Sequence, residues 1–177
     1  MLATPPDSDP KLVQAVLVRD ARSDDGEAIA SIYNHYVEHT VVTFEEDAVS
    51  ADEMSRRMAD VAVLSLPWLV AEIDGLVVGY AYATAWRARA AYRHSAEVTV
   101  YLTPDHGGAG IGTALYTRLL DELRARGRHA VMGGIALPND ASVRLHEKLG
   151  FEKVAHFREV GWKHGRWVDV AFWQRIL

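Results

Sequence analysis

The apolar positions change period along the chain, between about two and about 3.6, and each change marks an element. Residues 95–102 alternate, with Val98, Val100 and Leu102 on one face, and predict a strand. Ile111, Leu115, Leu119 and Leu123 then recur at helical spacing until Gly127 stops the helix. Upstream, Ile29, Ile32, Tyr33, Tyr36 and Val37 form a helical stripe behind Ser23 or Asp24 as its cap. Residues 40–45 read as a loop. Ser50 and Glu53 make a capping box, and Met54, Met58 and Val61 face one way in the helix that follows. Strands are predicted at 16–19, 68–73 and 76–86, the last two joined by Asp74-Gly75, a hairpin signal. A strand at 130–136 precedes a helix opened by Pro138-Asn139 and closed by Gly150. Residues 151–162 and 167–176 form a final antiparallel pair around Lys163-His164-Gly165. The order is β-α-α-β-β-β-α-β-α-β-β. It predicts one α/β (α+β) domain with a mixed, mostly antiparallel sheet flanked by helices. Residues 1–14, rich in Pro and Asp, read as a loose leader, and residues 15–177 as the domain.

Composition narrows the classes. A chain of 177 residues can bury one sizeable core, and 49% hydrophobic with 24% charged residues is ordinary for a soluble globular protein. The net charge of −5, without a basic block, gives no reason to expect a nucleic-acid partner. No apolar run is long enough to span a bilayer, and the start lacks the order of a signal peptide. The cytoplasm is therefore the expected compartment, with no membrane partner. The absence of cysteine removes disulfides, thiolate metal sites and covalent cysteine intermediates. No set of His, Asp and Glu has zinc spacing, so no metal is expected.

Candidate chemistry begins where the strand at 95–102 meets the helix at Ile111. Gly107, Gly108, Gly110 and Gly112 lie in that junction. A strand, a glycine loop and a helix N-terminus aim unpaired backbone N–H groups at one place, with the positive end of the helix dipole behind them, and suit a phosphate. The loop lacks the lysine of a nucleoside-triphosphate loop, since Thr113 follows Gly112. It also lacks the spacing and early position of a dinucleotide-binding fingerprint. The shorter pattern polar-x-x-Gly-x-Gly/Ala fits.

That pattern resembles the pyrophosphate loop of the GNAT N-acetyltransferases, which bind acetyl-CoA. A second motif, Asn139-Asp140-Ala141-Ser142-Val143-Arg144-Leu145-His146-Glu147-Lys148-Leu149-Gly150-Phe151, resembles the other signature of that superfamily, with His146 where most relatives carry Tyr. The resemblance then narrows to the phosphinothricin N-acetyltransferase family. Asn34-His35-Tyr36, Trp68-Leu69-Val70-Ala71-Glu72, Ala81-Tyr82-Ala83, Ala96-Glu97 with Thr99-Val100-Tyr101, Lys163-His164-Gly165 with Trp167 and Asp169, and Phe172-Trp173-Gln174 carry it, over residues 16–174.

The resemblance implies a fold in which the strands on either side of the glycine-loop helix splay apart to admit the cosubstrate. It implies contacts to acetyl-CoA from Val100, Tyr101, Leu102, Gly107, Gly108, Ala109, Gly110, Ile111, Gly112, Asn139 and Ser142. It implies acetyl transfer to the α-amino group of a small amino acid, phosphinothricin or a methionine sulfoximine or sulfone, within a homodimer. A protein acceptor and a non-catalytic coenzyme sensor are the competing readings.

The residues themselves limit the mechanism. An amine must be neutral to attack a thioester, so a proton acceptor is needed. Glu97 lies on the polar face of its strand with Ser95 and Thr99, where it would serve as a solvated or ion-paired residue or, as the resemblance implies, as the general base, directly or through water. His146 flanks the core face of its helix. It reads either as a buried, hydrogen-bonded residue or as a catalytic group that orients the acceptor's acid or protonates the departing thiolate. The resemblance places the oxyanion donor at a backbone N–H near Val100. Arg87, Arg89 and Tyr92 read as holders of the acceptor's anionic groups, Phe44 as a wall of its pocket, and Thr99 as a further contact. The tryptophans and Phe172 near the C-terminus read as core or dimer interface. Gly107 stands where the family usually has Gln or Arg, which predicts weaker coenzyme binding than in relatives with a basic loop.

Overall fold

The computed structural model describes residues 15–177; the leader read at 1–14 lies outside them. The elements follow the predicted order. They are β1 (Leu17–Asp20), α1 (Gly26–His39), α2 (Ala51–Val63), β2 (Trp68–Ile73), β3 (Leu76–Ala85), β4 (Ser95–Leu102), α3 (Ile111–Ala125), β5 (Ala130–Leu137), α4 (Asp140–Lys148), β6 (Glu152–Lys163) and β7 (Arg166–Ile176). The seven strands form one sheet in the order β1-β2-β3-β4-β5-β7-β6, antiparallel throughout except between β4 and β5. Asp74 and Gly75, with φ of 50° and 81°, form the left-handed pair that a tight hairpin requires.

Each face of the sheet is covered by two helices. Leu102 faces α3 and α4, since a Cβ on Gly112 would lie 3.8 Å from its Cδ1 and 3.2 Å from a Leu145 methyl. Its neighbour Tyr101 points the other way, to Tyr33 and Tyr36 of α1 at ring distances of 5.3 and 5.0 Å. The stripe of α3 is buried as predicted. Val98, Val100 and Leu102 do share a face, but only Val98 is fully buried.

Two helix starts differ from expectation. A single 3-10 turn, Ser23–Asp25, precedes α1, and neither Ser23 nor Asp24 caps the helix. Asp25 instead turns inward, where its carboxylate takes both terminal nitrogens of Arg19 at 2.7 and 2.8 Å. At α2 the Ser50 hydroxyl accepts from the Glu53 amide, but the Glu53 carboxylate turns away to Arg56 and Arg57, so half of the box forms. The ion pairs draw the carboxylate more strongly than a backbone amide does.

Candidate active site

The centre of the site is a gap in the sheet. β4 and β5 pair only through Ser95↔Ala130, Ala96↔Val131 and Glu97↔Met132. Beyond these, β4 stays with β3 as far as Leu102, and β5 stays with β7 as far as Leu137. The two strands therefore part into a notch. Thr103 N–H bonds to Val78 C=O, which sets the phase of the antiparallel ladder. Thr99 and Tyr101 spend their backbone groups on β3, the Val98 amide belongs to the last rung with Met132, and the Val98 carbonyl and the backbone groups of Val100 and Leu102 face the notch. Leu102 C=O is taken by Tyr36 Oη at 2.6 Å. The Val100 N–H, which the resemblance offers as an oxyanion donor, points into the notch.

The glycine loop closes one end of the notch. Gly110, at φ 83°, is the N-cap of α3, and Ala114 N–H makes the first bond back to it. The amides of Ile111, Gly112 and Thr113 have no partner within the helix. A Cβ on Gly108 or Gly110 would meet nothing within 4 Å, so the loop presents bare backbone. These amides, the dipole behind them and the free β4 amides make a donor set that fits a pyrophosphate followed by an amide-bearing arm. No cationic side chain belongs to residues 107–112. Of the second motif, Asn139 caps α4 through Oδ1 to the Ser142 amide at 3.1 Å, and Ser142 lies 3.4 Å from His146 Nδ1 through its hydroxyl.

On the α1 side of the sheet lies a cleft of about 670 Å³, within the range of small-molecule sites. Glu97, Thr99 and Tyr101 form its floor, and Thr43 and Phe44 line it together with Phe157, Val160, Gly161 and Trp162 of β6. Gly134 and Phe172 lie beside Glu97; a Cβ on Gly134 would stand 3.4 Å from Glu97 Oε1. The Glu97 carboxylate makes no hydrogen bond to the described residues. Burial raises its pKa, and the positive charge of Arg87 offsets this in part.

The structure brings Glu97, Thr99 and Phe44 together and keeps other predicted residues apart. Tyr101 belongs to the acceptor cleft through its side chain and spends its backbone groups on β3, so it offers the notch no donor, which corrects its expected contact to acetyl-CoA. Arg87 lies over the Trp86 ring at 4.1 Å and donates to Trp86 C=O at 2.9 Å. Arg89 and Tyr92 stand exposed on the turn that follows and do not line the cleft.

His146 is 2% exposed and lies behind β5. A Cβ on Gly133 would fall 2.2 Å from its Nε2, whereas Gly134, one residue on, faces Glu97. The two predicted catalytic side chains are thus on opposite faces of β5. His146 Nδ1 lies 2.8 Å from Ser142 C=O and Nε2 3.3 Å from Tyr116 Oη, and burial lowers its pKa. It cannot orient the acid of a ligand in the cleft, which corrects that expectation.

Sequence reasoning missed the β6 wall. Trp173 is core, but Trp162 and Trp167 are exposed against each other at 5.0 Å, and Trp162 and Phe172 line the cleft. Lys163, 1% exposed, was also unforeseen; its ammonium donates to Thr43 C=O at 2.8 Å and ties the Phe44 loop to β6.

Comparison with known proteins bears on this geometry. The acetyltransferase (GNAT) domain family matches residues 18–172. A phosphinothricin N-acetyltransferase of Streptomyces viridochromogenes is 44% identical over 90% of this chain and 87% of its own. An L-methionine sulfoximine/L-methionine sulfone acetyltransferase of Salmonella typhimurium is 41% identical over 90% and 94%. Among solved structures, a GNAT superfamily phosphinothricin acetyltransferase from Sinorhizobium meliloti, in complex with acetyl-CoA, superposes with a TM-score of 0.89 at 40% identity, covering 92% of this chain and 88% of the other.

Proposed function

The chain belongs to the GNAT acetyltransferase family and is an acetyl-CoA-dependent N-acetyltransferase, and on that premise we propose that it acetylates the α-amino group of a small amino acid by direct attack. The observation that carries this reading is a half-buried carboxylate, Glu97, with no hydrogen bond to the described residues, on the floor of the cleft beside a notch of free backbone amides. Acetyl-CoA supplies the activated thioester. The amides of the glycine loop and α3 hold its pyrophosphate, with Val100 and Leu102 along the notch. Glu97, whose pKa burial raises, takes the proton of the acceptor ammonium, directly or through water. The Val100 N–H stabilises the negative charge that grows on the carbonyl oxygen. No side chain here acts as a nucleophile, and alignment is worth up to roughly 7–11 kcal/mol of the barrier. His146 we read as a positioning residue: a neutral imidazole that joins α4 to Tyr116 behind β5.

The cleft favours one acceptor class over another. Its lining contains no Lys or Arg, and besides Glu97 its polar groups are Thr43, Thr99 and Tyr101 with one indole. A neutral side chain such as that of methionine sulfone or sulfoximine suits it better than the doubly anionic phosphinothricin. We also read the chain as a cytoplasmic homodimer, which the exposed Val160, Trp162 and Trp167 beside the cleft support. Thiol release from acetyl-CoA, measured against phosphinothricin, methionine sulfoximine, methionine sulfone and glutamate, tests the function. Methionine derivatives are expected to lead. Turnover of none of them would return the acceptor to the protein and sensor readings.

Gly107 offers a second test. A Cβ there would meet only Pro104 C=O at 3.8 Å, so a long side chain fits. Gly107→Arg should tighten acetyl-CoA by roughly threefold at low salt, with the gain fading as salt rises. A tight dissociation constant unchanged by Gly107→Arg would show that backbone amides suffice.

A further inference from the structure

The wall of the cleft opposite Glu97 rests on an interruption in β6. Its register with β7 runs through His156↔Ala171 and Phe157↔Val170 and resumes at Gly161↔Val168. Residues 158–160 therefore bulge opposite a single residue of β7, Asp169. Within the bulge Glu159 has φ 51°, a left-handed conformation that a residue with a Cβ keeps only under constraint. Asp169 supplies the constraint. Its Oδ1 accepts from the Glu159 amide at 2.8 Å, and its Oδ2 accepts from His156 Nε2–H at 2.7 Å. The residues that flank or form the bulge are those that face Glu97: Phe157, Val160 and Gly161. Gly161 in turn seats Phe44, since a Cβ on it would fall 2.0 Å from the Phe44 ring.

We propose that Asp169 is a positioning residue for acceptor recognition: by pinning the Glu159 amide it fixes the bulge, and through it the β6 wall and the seat of Phe44. The inference rests on the reading of this cleft as the acceptor site. The Asp169 backbone pairs with Leu137 of β5, but its side chain bonds only to β6, so replacing the side chain should leave the coenzyme side intact. Without that pin Glu159 is free to leave its left-handed conformation, and the change would carry Val160 away from the cleft.

The test is steady-state kinetics of Asp169→Ala, Asp169→Asn and His156→Ala, beside the wild type, with the best acceptor of the panel. Asp169→Ala should raise the acceptor KM roughly tenfold while the acetyl-CoA KM stays within about twofold. Asp169→Asn keeps an oxygen for the Glu159 amide and should recover most of the loss. His156→Ala should change little, because the amide contact survives it. An unmoved acceptor KM in Asp169→Ala would overturn the inference. So would a joint rise of both KM values with a lowered melting temperature, or failure of both Asp169 variants to fold, because Asp169 would then hold the fold and not the pocket. Loss of wild-type turnover on every amine would instead sink the reading of the site.

Discussion

Glu97→Gln should lower kcat by roughly 100- to 10,000-fold, the range that general-base catalysis supplies, and leave the acetyl-CoA KM unchanged. Glutamine keeps the shape of the side chain and its place beside Gly134, but it cannot take a proton. The pH profile separates this from a packing effect. Burial raises the Glu97 pKa, against the smaller pull of Arg87. The wild-type kcat/KM should therefore fall as pH drops through that raised value, and Glu97→Gln should lose this limb, leaving only the ionisation of the acceptor amine. Stability gives an independent reading with a fixed sign. A carboxyl whose pKa is raised in the folded state contributes stability below its unfolded value, about 4.3, and loses it as pH rises through the folded value. Once ionised, Glu97 is thus a burden on the fold, and above its folded pKa Glu97→Gln should melt higher than the wild type. A variant that is both active and less stable would show that Glu97 is an ordinary structural carboxylate.

The parts of this site that were legible in the sequence are those made by neighbours in the chain. The alternation at 95–102, the glycines after it and the stripe from Ile111 specify a strand, a loop and a helix locally, and the structure has all three. The splay of β4 from β5 came only with the family resemblance, because nothing in either strand's own pattern stops the pairing after Glu97 and Met132. The β6 wall was not legible at all. Its bulge depends on a carboxylate from another strand, and Trp162 read as core or dimer interface because an apolar side chain carries the same signature for those uses as for a cleft wall. The two readings of His146 stayed open for a related reason. Helical spacing placed it beside the core, but which face of β5 it meets is decided by the missing Cβ of Gly133. Arg89 and Tyr92, matched by the resemblance, stand outside the cleft in this single chain.

Arg19→Ala should cost about 3–5 kcal/mol of stability and lower the melting temperature by roughly 10 °C. Arg19 is the centre of a largely buried network in which its side chain is 15% exposed and that of Asp25 8%. It binds Asp25 through both terminal nitrogens and Glu72 through Nε at 2.9 Å. The cluster joins β1 and β2 to the turn that starts α1, and α1 carries Tyr33 and Tyr36 to Tyr101 and the end of β4. Removing the guanidinium leaves two carboxylates without their counter-charge, the costly way to break such a pair. A double replacement, Arg19→Met with Asp25→Leu, should lose less than Arg19→Ala alone. The pH dependence has a definite direction. The bond to Arg19 and the Arg22 amide hold Asp25 below its ordinary range. Its contribution is therefore present above the unfolded value, about 3.9, and disappears as pH falls through the lower folded value. The gap in stability between wild type and Arg19→Ala should close as the solution is acidified below about pH 4. A melting temperature within about 2 °C of wild type at pH 7 would mean that water screens the cluster as it does surface pairs, and that α1 is held by its apolar stripe alone.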